Sequence, residues 1–349
     1  MKIASVASAY PKHYYSQDVL IDALKLRWGS KLAHPQLLDR LRTRGGVDGR
    51  HLALPMDAYD RLGGWGDANT AWIECAQELG KQALCRALAR AGLSARDIHS
   101  LFTVSITGIA NPSLDARLVN RMGLSPHVKR VPVFGLGCVA GAAGIARAAD
   151  YVKAYPNQVA ALLSVELCSL TLMMKDLSVA NVISSVLFGD GAAAVLVAGD
   201  ELEADGPEVV ATRSVFYPDS ESVMGWDICN DGFKIVLSAD VPVMVERYLA
   251  NDVKCFLADH GLTKSQIGSW ILHTGGPKVL EATSAALELP DGALDASWQC
   301  LRKTGNLSSA SVLAVLEEVL LHRRPEPGTW SLLAAMGPGF CSELVLLRW

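Results

Sequence analysis

Two stretches of this chain read alike. Gly92, Leu93, Ile98 and Ser100 recur at matching positions as Gly261, Leu262, Ile267 and Ser269. Each stretch has the pattern of a helix end and turn leading into a buried strand. The likeness continues downstream. The first copy runs on to Gly135-Leu136-Gly137-Cys138 and the small-residue run Val139 to Ala146. The second reaches Gly305-Asn306-Leu307-Ser308-Ser309-Ala310 and then Ser311 to Leu316. Both are glycine turns opening a helix with few bulky side chains near its start. A strand follows each helix, over 159–165 and 330–335. Val104 and Cys138 stand 34 positions apart, and His273 and Asn306 stand 33 apart. A duplicated unit of alternating strands and helices predicts an α/β fold with mostly parallel sheets covered by helices. Helices made of Ala, Gly and Ser can lie buried between two sheets. The duplication divides the chain into a half of residues 1–203 carrying Cys138 and a half of residues 204–349 carrying His273 and Asn306.

The totals fit a large buried core. Half of the 349 residues are apolar and the net charge is −4. No Lys/Arg block is present, which argues against nucleic acid or an anionic membrane as the main partner. Eight cysteines are dispersed with no CxxC pair and no metal-ligand spacing. The first residues lack a long apolar signal core, and apolar runs such as Val159 to Leu163 are too short to span a bilayer. The expectation is a cytoplasmic protein with reduced thiols and no metal.

The duplication singles out three chemical groups. It sets Cys138 and Asn306 at equivalent helix starts, where unpaired N–H groups and the positive dipole end gather. That setting favours a thiolate nucleophile at Cys138. The other seven cysteines read as small core or surface residues. His273 ends an apolar strand and precedes Thr274-Gly275-Gly276-Pro277, a place where α/β proteins present side chains to ligands. A satisfied core histidine and a simple N-cap asparagine are the bland readings of His273 and Asn306. Cys, His and Asn together also describe a thiol hydrolase. A His and Asn pair that both donate to one thioester oxygen instead stabilises an enolate and a tetrahedral oxyanion.

At these residues the chain resembles the type III polyketide synthases, the chalcone-synthase-like branch of the thiolase superfamily. Five motifs carry the resemblance in the family's order over nearly the whole chain. They are Gly135 to Cys138, Leu187-Phe188-Gly189-Asp190-Gly191-Ala192-Ala193, His273 to Pro277, Gly305 to Ala310, and Met336-Gly337-Pro338-Gly339-Phe340. Ser164 to Thr171 and Met224-Gly225-Trp226-Asp227 look like bacterial members that make alkylpyrones or alkylresorcinols. Two positions depart from the family pattern: Thr274 stands where Pro is usual, and Met336 where Phe is common.

The resemblance implies a five-layered αβαβα thiolase fold and a homodimer. It assigns the nucleophile to Cys138 and the decarboxylation and oxyanion donors to His273 and Asn306, with a Cys138–His273 ion pair holding the thiol ionised. It makes Phe188 the gate between a CoA tunnel and an inner cavity. Thr107, Glu166, Cys168, Thr171 and Ser308 are expected to line that cavity. Arg40 and Arg44, on one helix face, are expected to meet the CoA phosphates. The implied reaction loads an acyl-CoA on Cys138, extends it with malonyl-CoA by decarboxylative condensation and cyclises it to an alkylpyrone or alkylresorcinol. It needs no metal, nicotinamide or flavin. A ketoacyl synthase III-like enzyme using an acyl carrier protein, a thiol hydrolase, and a catalytically dead acyl-binding partner are the alternatives.

Overall fold

The computed structural model describes residues 1–349. The first half runs β1 (Lys2–Ala9), β2 (His13–Ser16), α1 (Gln17–Trp28), α2 (Gln36–Arg44), β3 (Gly49–Leu52) and α3 (Trp65–Ala91). It continues with β4 (Ile98–Val104), α4 (Leu114–Met122), β5 (Lys129–Val133), α5 (Ala140–Ala154), β6 (Val159–Leu167), α6 (Val179–Leu187) and β7 (Asp190–Ala198). The second half begins with β8 (Glu208–Phe216), β9 (Met224–Cys229), β10 (Gly232–Leu237), α7 (Val241–Asp259) and β11 (Ile267–Leu272). It ends with α8 (Pro277–Ala286), α9 (Asp295–Thr304), α10 (Ser311–His322), β12 (Trp330–Gly337) and β13 (Cys341–Arg348).

The sequence repeat is a structural repeat. Strand β4 pairs parallel with β6, which pairs antiparallel with β7; β11, β12 and β13 repeat the arrangement. Both β4 and β11 are entered through a single 3₁₀ turn closed by a reciprocal cap. Ser94 and Asp97 make the first, Thr263 and Gln266 the second. These caps are the physical content of the shared Gly-Leu…Ile…Ser pattern. Helices α5 and α10 also open through matching 3₁₀ turns, Gly137–Val139 and Ser308–Ala310.

Three cores lie between five layers. The inner faces of both sheets enclose α5 and α10 in one cluster that includes Ile145, Leu162, Val195, Leu313, Leu333 and Val345. The outer face of the first sheet packs on α3 through Ala161, Leu163 and Leu196. That of the second packs on α7 through Leu332, Leu344 and Leu346. Successive residues of β6 alternate between two cores, so the whole strand is buried and its first five residues, Val159 to Leu163, read as an unbroken apolar run. The strand order is β11-β12-β13-β8-β1-β7-β6-β4-β5, and the halves touch in it only where Lys2 pairs with Glu208. The expected αβαβα architecture is therefore present.

Close approach of the two central helices depends on Gly141. A Cβ there would lie 2.3 Å from the Ser309 backbone oxygen and 2.8 Å from Val312 Cγ1. Bare backbone at this point lets the turn carrying Cys138 meet the turn carrying Asn306. A small separate core of Ile21, Leu24, Trp28, Leu38, Val182 and Val186 holds α1, α2 and α6 together beside the site.

Candidate active site

Cys138 sits in the middle of the 3₁₀ turn before α5 and is 5 % exposed. Gly137 enters this turn at φ +55°, and a side chain there would strike Pro338 Cδ at 2.7 Å. Glycine is thus required by both conformation and space. The thiol donates to Ser308 Oγ at 3.6 Å. Ser308 itself holds a left-handed φ of +49° at the start of the partner turn, a strained conformation of the kind found at functional sites.

Asn306 is 1 % exposed and is fixed from three sides. Its N–H donates to Leu187 O at 2.9 Å, and its carbonyl accepts from Gly189 N–H at 2.9 Å. Its side-chain Oδ1 accepts from Ser308 N–H at 2.8 Å and Ser311 Oγ at 3.1 Å. Those two donors settle the orientation of the amide and leave Nδ2 free to donate elsewhere. His273 follows β11, anchored through its N–H to Ala334 O at 3.0 Å. The residue is 8 % exposed, and its Nδ1 has no partner within the chain.

The three side chains converge. Cys138, His273 and Asn306 all line one outer cavity of about 710 Å³. Phe188 lines it too, and so do Arg40 and Arg44. An inner cavity of about 140 Å³ lies on the other side of Cys138 and Phe188, walled in part by Thr107, Cys168, Thr171 and Ser308. Cys138, Phe188, Met224 and Leu237 belong to both cavities, so the thiol stands at their junction beside the Phe188 ring. Arg40 and Arg44 lie a helical turn apart on α2, are exposed, and have no carboxylate partner. Arg42 between them is paired with Asp22 and Asp18.

One expectation needs correction, and another meets an opposing force. Glu166 is not on the cavity wall. Its carboxylate lies behind the wall and is consumed by Ile106 N–H at 3.1 Å, Thr107 Oγ1 at 2.9 Å, Ser105 Oγ at 3.3 Å and Ser309 Oγ. Thr107 stands between it and the cavity, accepting in turn from Trp72 Nε1 and Leu167 N–H. Burial raises the Glu166 carboxyl to about 7 despite these donors. Burial also weighs against the expected Cys138–His273 ion pair. Burial pushes the thiol up to about 12, against the opposing effect of its hydrogen bond with Ser308, and pushes the imidazole down to about 4. Desolvation penalises both ions more than the helix start favours the thiolate. Burial thus disfavours the charged form of each group.

Sequence reasoning missed two wall residues. Trp226, noted only as part of a subgroup string, lines the inner cavity and donates from Nε1 to Ile106 O at 3.0 Å. Arg50, on the short strand β3, lines the same cavity and is 3 % exposed. An arginine beside a glycine in a four-residue strand carries no pattern that signals burial. No cluster of three or more His, Cys, Asp or Glu could hold a metal, and no helix is long and apolar enough to cross a membrane.

A nucleophile, an imidazole and an amide donor meeting between two sheets of a duplicated thiolase fold define a condensing enzyme, an acyltransferase that joins acyl units. Comparison with known proteins places it within that class. Residues 68–201 match the N-terminal domain of chalcone and stilbene synthases, and residues 208–349 match the C-terminal domain. The chain is 54% identical to a 1,3,6,8-tetrahydroxynaphthalene synthase of Streptomyces peucetius, over 99% of this chain and 93% of that protein. It is 34% identical to a putative chalcone synthase of Bacillus subtilis, over 99% and 98%. The crystal structure of 1,3,6,8-tetrahydroxynaphthalene synthase from Streptomyces coelicolor, a bacterial type III polyketide synthase, superposes with a TM-score of 0.95 at 32% identity, covering 100% of this chain and 99% of that one. The chain belongs to the chalcone and stilbene synthase family and is a type III polyketide synthase.

Proposed function

We propose that this enzyme is primed by malonyl-CoA, extends the primer with further malonyl units, and cyclises the chain to 1,3,6,8-tetrahydroxynaphthalene. The observation that carries this reading is the 54% identity, over 99% of the chain, to a synthase of that name. The small inner cavity, lined in part by the Trp226 indole, suits a short primer over a long alkyl one. The product's formula sets the count. Five malonyl-CoA supply one tetrahydroxynaphthalene, five carbon dioxide, five CoA and one water. Four carbon dioxide molecules leave in the four extensions. The fifth comes from the primer's own carboxylate. An acetyl primer would end in a methyl group, a poor carbon nucleophile for the second ring closure. A malonyl primer ends in a methylene flanked by two carbonyl groups.

The chemistry follows from the geometry. Cys138 attacks the primer thioester at the junction of the cavities. Its proton passes to the neutral His273 imidazole and then to the departing CoA thiolate. A second malonyl-CoA enters the outer cavity, where Leu272, Met336 and Phe340 provide apolar walls. Loss of carbon dioxide disperses its charge into an enolate, and such surroundings favour that step. Asn306 Nδ2 and the imidazole of His273 donate to the enolate oxygen. They later donate to the tetrahedral oxyanion when the carbanion attacks the acyl-Cys138 carbonyl. The Cys138 thiolate leaves and recaptures the longer chain from CoA. Arg40 and Arg44 hold the CoA phosphates at the mouth. Action as a cytoplasmic homodimer without metal, flavin or nicotinamide belongs to the same proposal.

An alkyl primer, giving an alkylpyrone or alkylresorcinol, is the second reading. Leu20, Leu24, Leu172 and Met174 favour it, because they line the inner cavity with apolar surface. Incubation with malonyl-CoA alone, and with a panel of acyl-CoAs plus malonyl-CoA, separates the two by product mass. Tetrahydroxynaphthalene from malonyl-CoA alone supports the first reading. Turnover only when an alkyl-CoA is supplied overturns it.

A further inference from the structure

We propose that Arg50 is the anchor for the primer's carboxylate, and so the residue that selects a dicarboxylic primer over a neutral acyl group. This rests on the malonyl-primed reading and names the contact that reading needs.

Arg50 is a buried cation with no carboxylate in contact. Its Nε donates to Gln17 Oε1 at 3.3 Å and its Nη1 to Phe188 O at 2.6 Å. Nη2 donates to nothing in the chain, and no carboxylate oxygen lies within ion-pair distance of the guanidinium. Asp190, whose field favours the Arg50 charge, is already held by Ala53 N–H at 2.6 Å and Ser169 N–H at 2.8 Å. Burial lowers the guanidinium to about 10, which still leaves it charged at neutral pH. Buried charges in proteins are ordinarily paired, and an unpaired one costs several kcal/mol. A buried arginine on the wall of a substrate cavity therefore points to an anionic ligand.

The position of Arg50 distinguishes the two roles of malonyl-CoA. Arg50 lines the inner cavity, on the primer side of Cys138 and Phe188. The outer cavity has no buried cation. Its Arg40, Arg44 and Lys278 are all exposed. A malonyl group in the outer cavity meets apolar walls and loses its carboxylate. A malonyl group carried on Cys138 into the inner cavity would meet Arg50. Pairing there stabilises the carboxylate in the ground state and raises the barrier to its loss. One compound is thus both retained intact as primer and decarboxylated as extender, according to which side of Phe188 it occupies.

The test is primer competition. Wild type, R50Q and R50K are given malonyl-CoA with butyryl-CoA, a neutral primer of nearly the same size. The ratio of malonyl-primed to butyryl-primed product is then measured by mass spectrometry. For R50Q the ratio should fall about tenfold or more, whatever happens to the total rate. R50K, which keeps a point charge, should fall between R50Q and wild type. An unchanged ratio with both products reduced equally means Arg50 only braces Phe188 and Gln17, and overturns the inference. If R50Q does not fold, the wild-type enzyme supplies a second measurement. Cys138 should acquire a malonyl adduct that retains its carboxylate about tenfold faster than a butyryl adduct; equal rates overturn the inference. Absence of any product from wild type with malonyl-CoA alone is a different result. It overturns the malonyl-primed reading, and the inference falls with it.

Discussion

Gly141→Ala sets two physical effects against each other, and the structure decides between them. Gly141 lies in the first turn of α5. Helix propensity alone favours the change by up to about 1 kcal/mol. The added methyl, however, would sit 2.3 Å from the Ser309 backbone oxygen, roughly 1 Å or more inside normal contact. Backbone cannot swing away as a flexible side chain can. Val312 Cγ1 at 2.8 Å and Leu313 Cγ at 3.3 Å close the other escape routes. Overpacking of this kind costs about 1–3 kcal/mol, so the net effect is a modest loss of stability, seen as a Tm lower by a few degrees. Activity is the sharper readout. Ser309 belongs to the turn that carries Asn306, and α5 follows the turn that carries Cys138. Separating them by roughly 1 Å misaligns nucleophile and oxyanion donor, which costs on the order of 10²-fold in turnover. Thermal melting and CoA release, measured with Gly66→Ala as control, test the argument. A methyl at Gly66 meets nothing within 4 Å, so that variant should behave as wild type. A Gly141→Ala enzyme as stable and active as wild type would refute the claim that close helix approach aligns the site.

Asn306→Ala should cut malonyl-CoA decarboxylation by roughly 10²–10³-fold, the usual cost of one oxyanion donor. It should also lower stability by about 1–3 kcal/mol, because Ser308 N–H loses its acceptor; normal decarboxylation would remove the proposed role. The raised carboxyl of Glu166 gives a pH prediction. Its folded value of about 7 lies above the ordinary 4.5, so its contribution to stability is present at low pH and is lost as pH rises through 7. Glu166→Gln keeps a neutral side chain in the same place, so its Tm should gain on wild type between pH 5 and pH 8; parallel curves would contradict this. Arg40→Glu and Arg44→Glu should raise KM for malonyl-CoA about tenfold or more with little change in kcat. Thioesters of N-acetylcysteamine, which lack the phosphates, should be unaffected; equal losses with both substrates would place these arginines elsewhere in the reaction.

Much of the site was legible because duplication fixes relationships that single motifs do not. Cys138 and Asn306 could be paired across the chain by their equivalent turns before any coordinates, and His273 by its strand end. Depth was not legible. Glu166 lies in β6, where both faces are buried, so alternation along the strand says nothing about which side chains reach a cavity. The charge balance at Cys138 and His273 is hidden for the same reason. A helix start favours thiolate, but desolvation opposes it, and desolvation depends on everything packed around Cys138 and His273. Arg50 escaped notice because its burial is imposed by α1, α6 and the loop after α6, none of them adjacent to it in sequence.

The most direct test is to quench the enzyme during turnover with malonyl-CoA and map the mass of every cysteine-containing peptide. Acyl adducts are expected on Cys138 alone, growing in steps of one ketide unit and matched by released carbon dioxide. Adducts on another cysteine, or CoA released with no carbon dioxide and no adduct at Cys138, would contradict it.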